Sequence, residues 1–163
     1  MSSSVDDEIE ALRTYLGQIT DPSVYLPVSD ERRAQAEWGA AMPLPAGIER
    51  TSVTLGGVPA ERLRPSASKQ QRAFLLFHSG GYVSGTAAYH VALAAHLAVA
   101  ADATGYVPEY RRAPENPFPA AVQDAIDAYL GLLHTGLPSE RIVVCGDSAG
   151  GGLAVAVAQQ APA

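Results

Sequence analysis

Three features of the sequence predict an α/β fold with a mostly parallel sheet. Two apolar runs of strand length, Ala73–Phe77 and Arg141–Cys145, alternate with helical stretches of about 10–15 residues, the pattern of βαβ units. Both runs are continuous rather than alternating, as expected of strands covered on both faces. The composition is that of a chain with a substantial core: 163 residues, 47% hydrophobic and 17% charged, a length that fits one domain.

The elements follow in order. Asp6–Ile19 reads as an amphipathic helix, with Ile9, Leu12, Leu16 and Ile19 three or four apart and acids in the first turn. Asp21-Pro22 and Leu26-Pro27 break the chain. Ser29 is expected to N-cap a polar helix from Asp30 to about Ala40, and Met42–Pro45 is a linker. Residues 1–45 are therefore expected to form an N-terminal helical segment and residues 46–163 the body. From Glu49 the period changes to two: Val53 and Leu55 alternate with Thr54, Gly56-Gly57 turns the chain, and Val58–Arg64 extends again, a β-hairpin. Pro65–Gln71 is a polar loop and Ala73–Phe77 a covered strand. Ala87–Ala101 is a helix, Ala103–Val107 a short strand. Pro119 opens a helix with Val122, Ile126, Tyr129 and Leu133 on one stripe. Arg141–Cys145 is the last strand and Ala149–Gln160 the last helix.

Charge and cysteine usage exclude several functions. A net charge of −6 offers no footprint for nucleic acid. The single Cys145 rules out an internal disulfide and any CxxC metal site; in its apolar strand it reads as a small core residue. Residues 1–10 carry four acids and no apolar run, unlike a signal peptide. The longest apolar stretch, Val91–Ala101, is interrupted by His96 and is short of the ~20 residues of a membrane span. A cytoplasmic protein with no nucleic-acid or membrane partner, no metal and no cofactor is expected.

Chemistry concentrates in three segments. Gly146-Asp147-Ser148-Ala149-Gly150 is G-x-S-x-G set directly between a strand and a helix. That context makes a nucleophile elbow: a sharp turn lifts the Ser148 hydroxyl above the sheet at a helix N-terminus, where the dipole favours a developing anion. The competing account is a Gly-rich turn with a capping serine. His78-Ser79-Gly80-Gly81-Tyr82 follows the strand Ala73–Phe77, and its glycines can turn backbone N–H groups into a cleft, as an oxyanion requires. A flexible loop would look the same. His78 fits an organiser of that loop better than a general base. The third segment, Tyr110–Ala120, holds three prolines and nothing intrinsically catalytic; Arg111 and Glu115 are expected to form a structural ion pair.

In this order, Ser79-Gly80-Gly81-Tyr82, Tyr110-Arg111 with Ala113-Pro114-Glu115 and Pro117-Phe118-Pro119, and Gly146-Asp147-Ser148-Ala149-Gly150-Gly151 resemble the hormone-sensitive-lipase-like α/β-hydrolases. Gly57–Glu61 is similar to members known as ε-lactone hydrolases and acetyl-hydrolases. The resemblance spans Glu49 to the C-terminus. It implies an α/β-hydrolase fold and a carboxylic-ester hydrolase of short acyl esters or lactones that needs no metal or organic cofactor. Ser148 would be the nucleophile, the backbone N–H groups of Gly80, Gly81 and Ala149 the oxyanion donors, and residues 1–45 part of a cap.

The chain departs from the pattern at Ser79, where a glycine is usual, at Arg112, where a leucine is usual, and at Asn116, where a histidine is usual. Pro108 falls where a central strand should end, and removes an N–H there. The larger departure is the triad. Its order is Ser, then Asp or Glu, then His, yet residues 149–163 contain no Asp, Glu or His. The chain is thus expected to be the N-terminal part of such an esterase, inactive alone and completed by a C-terminal segment. His90, His96 and His134 are expected to be a surface or loop contact, a residue of a packed helix and a helix-end cation; Asp147 is read as structural. The alternative is a catalytically dead hydrolase-like domain that binds a small apolar ligand or a protein partner.

Overall fold

The computed structural model describes residues 5–19, 27–68 and 71–160. Ten elements follow one another: α1 (Val5–Ile19), α2 (Val28–Ala41), β1 (Ile48–Leu55), β2 (Val58–Pro65), β3 (Ala73–Phe77), α3 (Ala87–Ala101), β4 (Thr104–Pro108), α4 (Ala120–Leu133), β5 (Ile142–Gly146) and α5 (Ala149–Gln160). The strands form one mixed sheet in the order β1-β2-β4-β3-β5. β3 runs parallel to β4 and β5, while β2 is antiparallel to both β1 and β4. Each parallel connection runs through a helix, as parallel strands require.

β3 is buried along its whole length, and its side chains alternate between two cores. Leu75 and Phe77 face Leu132 and Leu153, from α4 and α5. Phe74 and Leu76 face Val91, Ala94, Ala95 and Ala98 on α3. The alanine side of α3 brings that helix close to the sheet. The hairpin turns where expected: Gly56 and Gly57 both take positive φ, +56° and +89°, the conformation a two-residue turn between twisted strands demands.

The differences from the sequence expectations are local. Pro27, not Ser29, occupies the N-cap of α2, and no side chain caps that helix; the Asp30 and Glu31 N–H groups bond to the Pro27 carbonyl instead. β4 and β5 each begin one residue later than expected. For β5 the reason is a 3-10 turn over Ser139–Arg141, in which the Arg141 N–H bonds to the Pro138 carbonyl. Pro108 does not interrupt β4 but ends it, opposite Ala60. The continuous apolar run means burial on both faces for β3 only; Val143 in β5 is 62% exposed. The α1 stripe through Leu12, Leu16 and Ile19 and the breaks at Asp21-Pro22 and Leu26 lie outside the described residues or side chains; Ile9 is exposed. No helix among the described residues is long and apolar enough to cross a membrane.

Candidate active site

Two neighbouring parallel strands leave the sheet at the same end. β3 and β5 are in register from Ala73 opposite Ile142 to Phe77 opposite Gly146. The chain after Phe77 is the glycine loop, and the chain after Gly146 is the serine turn. Sheet pairing therefore sets the two sequence-predicted segments side by side, and the Asp147 N–H bonds to the Phe77 carbonyl at 3.2 Å.

The serine turn is strained and closely packed. Ser148 holds φ +53°, in the left-handed region that non-glycine residues avoid. Strain of this kind persists only where the surroundings impose it. Here the imposition comes from glycine contacts: a Cβ on Gly150 would collide with the carbonyls of Phe77 and His78, and one on Gly146 with the backbone of Gly150. The result is an exposed Ser148 at the entry of α5. Its hydroxyl makes no hydrogen bond among the described residues.

The glycine loop is wound tightly as well. Gly80, Gly81 and Tyr82 all take positive φ, and the Val83 and Ser84 N–H groups fold back onto the Gly80 carbonyl at 2.9 and 2.8 Å. That turn consumes the Val83 and Ser84 N–H groups and leaves those of Gly80, Gly81 and Tyr82 without an acceptor among the described residues. The Ala149 N–H, at the first position of α5, is likewise free, as helix starts are. Free backbone donors beside an exposed hydroxyl are what a tetrahedral oxyanion would need.

His78 and His90 sit behind this surface. His78 is fully buried, stacked on Tyr110 with ring centroids 4.0 Å apart, and its Nδ1 meets the Ser79 carbonyl at 2.8 Å. Burial pulls its pKa down to about 3, so the ring is neutral. The Tyr110 hydroxyl donates to the His78 carbonyl at 2.8 Å. Burial pushes the Tyr110 phenol up, which keeps it a donor. His90, expected as a surface or loop contact, is instead 3% exposed. Its Nε2 lies 3.4 Å from both the Asp147 carboxylate and the Ser79 hydroxyl, and 3.5 Å from the Ser79 N–H. Asp147 therefore turns toward His90, a link that no local pattern signalled. His96 is exposed on α3 and His134 is the C-cap residue of α4; neither bonds to the serine turn. The Cys145 thiol, raised by burial, donates to the Leu75 carbonyl.

The third segment braces the glycine loop, but with other partners than expected. Arg111 does not pair with Glu115: it binds the buried Asp124 carboxylate at 2.6–3.0 Å. Glu115 pairs with Arg32 of α2. The same Arg32 donates to the carbonyls of Val83 and Ala113, at 2.8 and 2.7 Å, so α2, the glycine loop and the proline-rich loop meet on one guanidinium. Arg112 bonds to the Gly85 carbonyl and to Glu109. Trp38 of α2 stacks on Tyr89 of α3 with centroids 5.7 Å apart. The described residues contain no cluster of three or more His, Cys, Asp or Glu side chains able to hold a metal.

The family model for the α/β hydrolase fold matches residues 74–163. The chain is 44% identical to the acetyl-hydrolase of Streptomyces hygroscopicus, over 78% of this chain and 41% of that protein. It is 36% identical to the esterase LipI of Mycobacterium tuberculosis, over 97% of this chain and 47% of that protein. The crystal structure of an esterase from the bacterial hormone-sensitive lipase family matches with a TM-score of 0.76 at 36% identity, over 96% of this chain and 52% of that one. A hormone-sensitive lipase from a metagenome library matches with a TM-score of 0.78 at 36% identity, over 99% and 53%. The chain thus spans about half the length of the relatives it matches.

Proposed function

The chain belongs to the α/β hydrolases of the hormone-sensitive-lipase type, and on that footing we propose that it carries the nucleophile and oxyanion site of a serine carboxylic-ester hydrolase for short-chain acyl esters or lactones. The observation that supports this most is the exposed, strained Ser148 set beside the free N–H groups of the neighbouring glycine loop. In the proposed reaction the Ser148 oxygen bonds to the acyl carbon while a base takes its proton. The carbonyl oxygen, now an anion, is held by the N–H groups of Gly80, Gly81 and Ala149. The ester C–O bond then breaks, the alcohol leaves with the proton, and water releases the acid from the acyl-serine. His78 acts as the organiser of the loop, since it is buried and neutral. Residues 1–45 form a cap segment, with α2 docked on α3 and on the loop through Arg32.

The Ser148 hydroxyl hydrogen-bonds no base among the described residues. The proton acceptor of the proposed reaction is therefore supplied from outside residues 1–163, and little turnover is expected from these residues alone. The same observation favours a second reading, a non-catalytic domain of hydrolase type that binds a small apolar ligand or a protein partner. Hydrolysis of p-nitrophenyl acetate by residues 1–163, wild type and Ser148→Ala, tests the first. An oxyanion site without a working triad supplies roughly 10³–10⁴ over water whichever member is missing, so slow hydrolysis that largely survives Ser148→Ala is expected. Hydrolysis no faster than in buffer alone, for both proteins, would favour the binding domain. Turnover of about 10 s⁻¹ that required Ser148 would show that a base is already present.

A further inference from the structure

A cavity of about 400 Å³ opens between the glycine loop and the start of α4. Its size falls at the small end of ligand pockets, roughly 300–1,000 Å³. Gly81, Tyr82 and Val83 line one side and Phe118, Pro119 and Val122 the other, and no charged side chain faces it. Two observations connect it to the serine, and a third concerns its rim. Gly81 carries one of the free N–H groups and lines the cavity, and a Cβ built there meets nothing within 4 Å, so the space beside it is open. The Tyr82 phenol reaches α5 at Gly152, one turn past Ser148, where an added Cβ would strike its oxygen. Tyr82 thus borders the cavity and the serine helix together. Phe118 stands at the rim with 86% of its surface exposed, a large aromatic that no part of the described chain covers.

We infer that this cavity is the subsite for the alcohol side of the ester, and that it takes an uncharged cyclic hydrocarbon arm of about phenyl size. The inference rests on the ester-hydrolase assignment above. A carbonyl oxygen held by the Gly81 N–H places the two substituents of the carbonyl carbon within a bond or two of the loop, and one of them enters the space beside Gly81. With a short acyl group, the larger substituent is the alcohol. Tyr82 and Phe118 then offer ring faces to a ring, for which offset or edge contacts are favourable.

The test uses two amides that copy esters without being cleaved, N-benzylacetamide and N-methylacetamide, titrated into ¹⁵N-labelled residues 1–163. The benzyl compound should shift the amide signals of Gly81, Val83 and Val122, and should bind about 10-fold or more tightly than the methyl compound. Phe118→Ala, at an exposed position that folding does not need, should weaken the benzyl compound several-fold. Ala121→Phe, which fills the cavity, should remove the preference and leave the methyl response in place. Equal responses to both amides, or benzyl shifts that map elsewhere, would overturn the subsite. Ethyl p-nitrophenyl methylphosphonate, incubated in mildly alkaline buffer so that hydroxide stands in for the absent base and read by intact mass, tests the underlying assignment separately. Labelling that requires Ser148 supports it. If Ser148 stays unlabelled while the benzyl preference holds, the esterase assignment falls and the cavity remains a binding site for a cyclic group.

Discussion

The Asp147 carboxylate faces the imidazole of His90 at 3.4 Å, which ties the residue before the nucleophile candidate to the helix after the glycine loop. The two partners contribute unequally. His90 is 3% exposed, and its ring also touches Ser79, so truncation leaves a hole beneath both loops. The Asp147 side chain is 57% exposed, and a hydrogen bond that water can replace is worth about 1 kcal/mol or less. His90→Ala should therefore cost about 2–3 kcal/mol, and Asp147→Asn under ~1 kcal/mol. Urea denaturation of the three proteins measures this, and equal losses would contradict it.

The serine turn gives a sharper contrast between adjacent glycines. A methyl at Gly150 has no room between the Phe77 and His78 carbonyls, whereas one at Gly151 would lie 3.5 Å from the Gly146 carbonyl, an ordinary contact. Gly150→Ala should cost ~1–3 kcal/mol or prevent folding. Gly151→Ala should be neutral or stabilise by up to ~1 kcal/mol, because alanine is the better helix residue. Thermal melts of the two variants decide it; a Gly150→Ala protein as stable as Gly151→Ala would show that β3 and the serine turn can separate without loss.

What could be read in the sequence, and what could not, divides along the same lines. The β3 run, the Gly56-Gly57 hairpin and the strand–serine–helix order are local: each depends on residues adjacent in the chain, and each was legible. The adjacency of the two loops was not legible: strand–helix alternation implies a parallel sheet but leaves its order open, and β5 pairs with β3 rather than with β4, which precedes it in the chain. Side-chain partners were not legible. Arg111 had Glu115 four residues away and Asp124 thirteen away, and spacing favoured the nearer. The loop carries Glu115 toward α2 and its Arg32, while the buried Asp124 on α4 requires a cation and takes Arg111. His90 and Asp147 lie 57 residues apart and meet only because α3 and α5 start at the same end of the sheet.

His78 predicts an acid sensitivity. Burial lowers its pKa from 6.5 to about 3 in the folded chain, against the opposing effect of its bond to the Ser79 carbonyl. The unfolded chain protonates this ring near its ordinary value, so below pH ~6.5 the unfolded state binds more protons than the folded one. The stability linked to the neutral ring is fully present above that pH. It is lost progressively as pH falls toward about 3, at up to ~1.4 kcal/mol per pH unit. His78→Asn cannot titrate there. It should be less stable than wild type at pH 7, and the gap should narrow on acidification. Urea midpoints at pH 7, 5.5 and 4.5 would show this, and a gap constant with pH would rule out the histidine as the source.

The outer side of β5 predicts association. Among the described residues this strand pairs with β3 alone, so its other row of N–H and C=O groups has no strand partner. Its side chains are apolar, Val143 is 62% exposed, and Val155 on α5 is 58% exposed. Phe74, Leu97 and Cys145 line an apolar groove of about 550 Å³ beside it. Natural sheet edges are blunted by lysines, prolines, bulges or a covering segment, because an open apolar edge recruits another strand. None of these devices lies on Ile142–Gly146. Purified residues 1–163 are therefore expected to self-associate edge to edge, or to require a complementing segment for solubility. Light scattering after size exclusion should give a mass above that of a monomer, rising with concentration. Val143→Lys, which places a charge on the exposed face of the edge, should shift the population toward monomer with little change in the melt. A wild-type chain that is monomeric at every concentration and melts in one cooperative step would show that the open edge does not drive association.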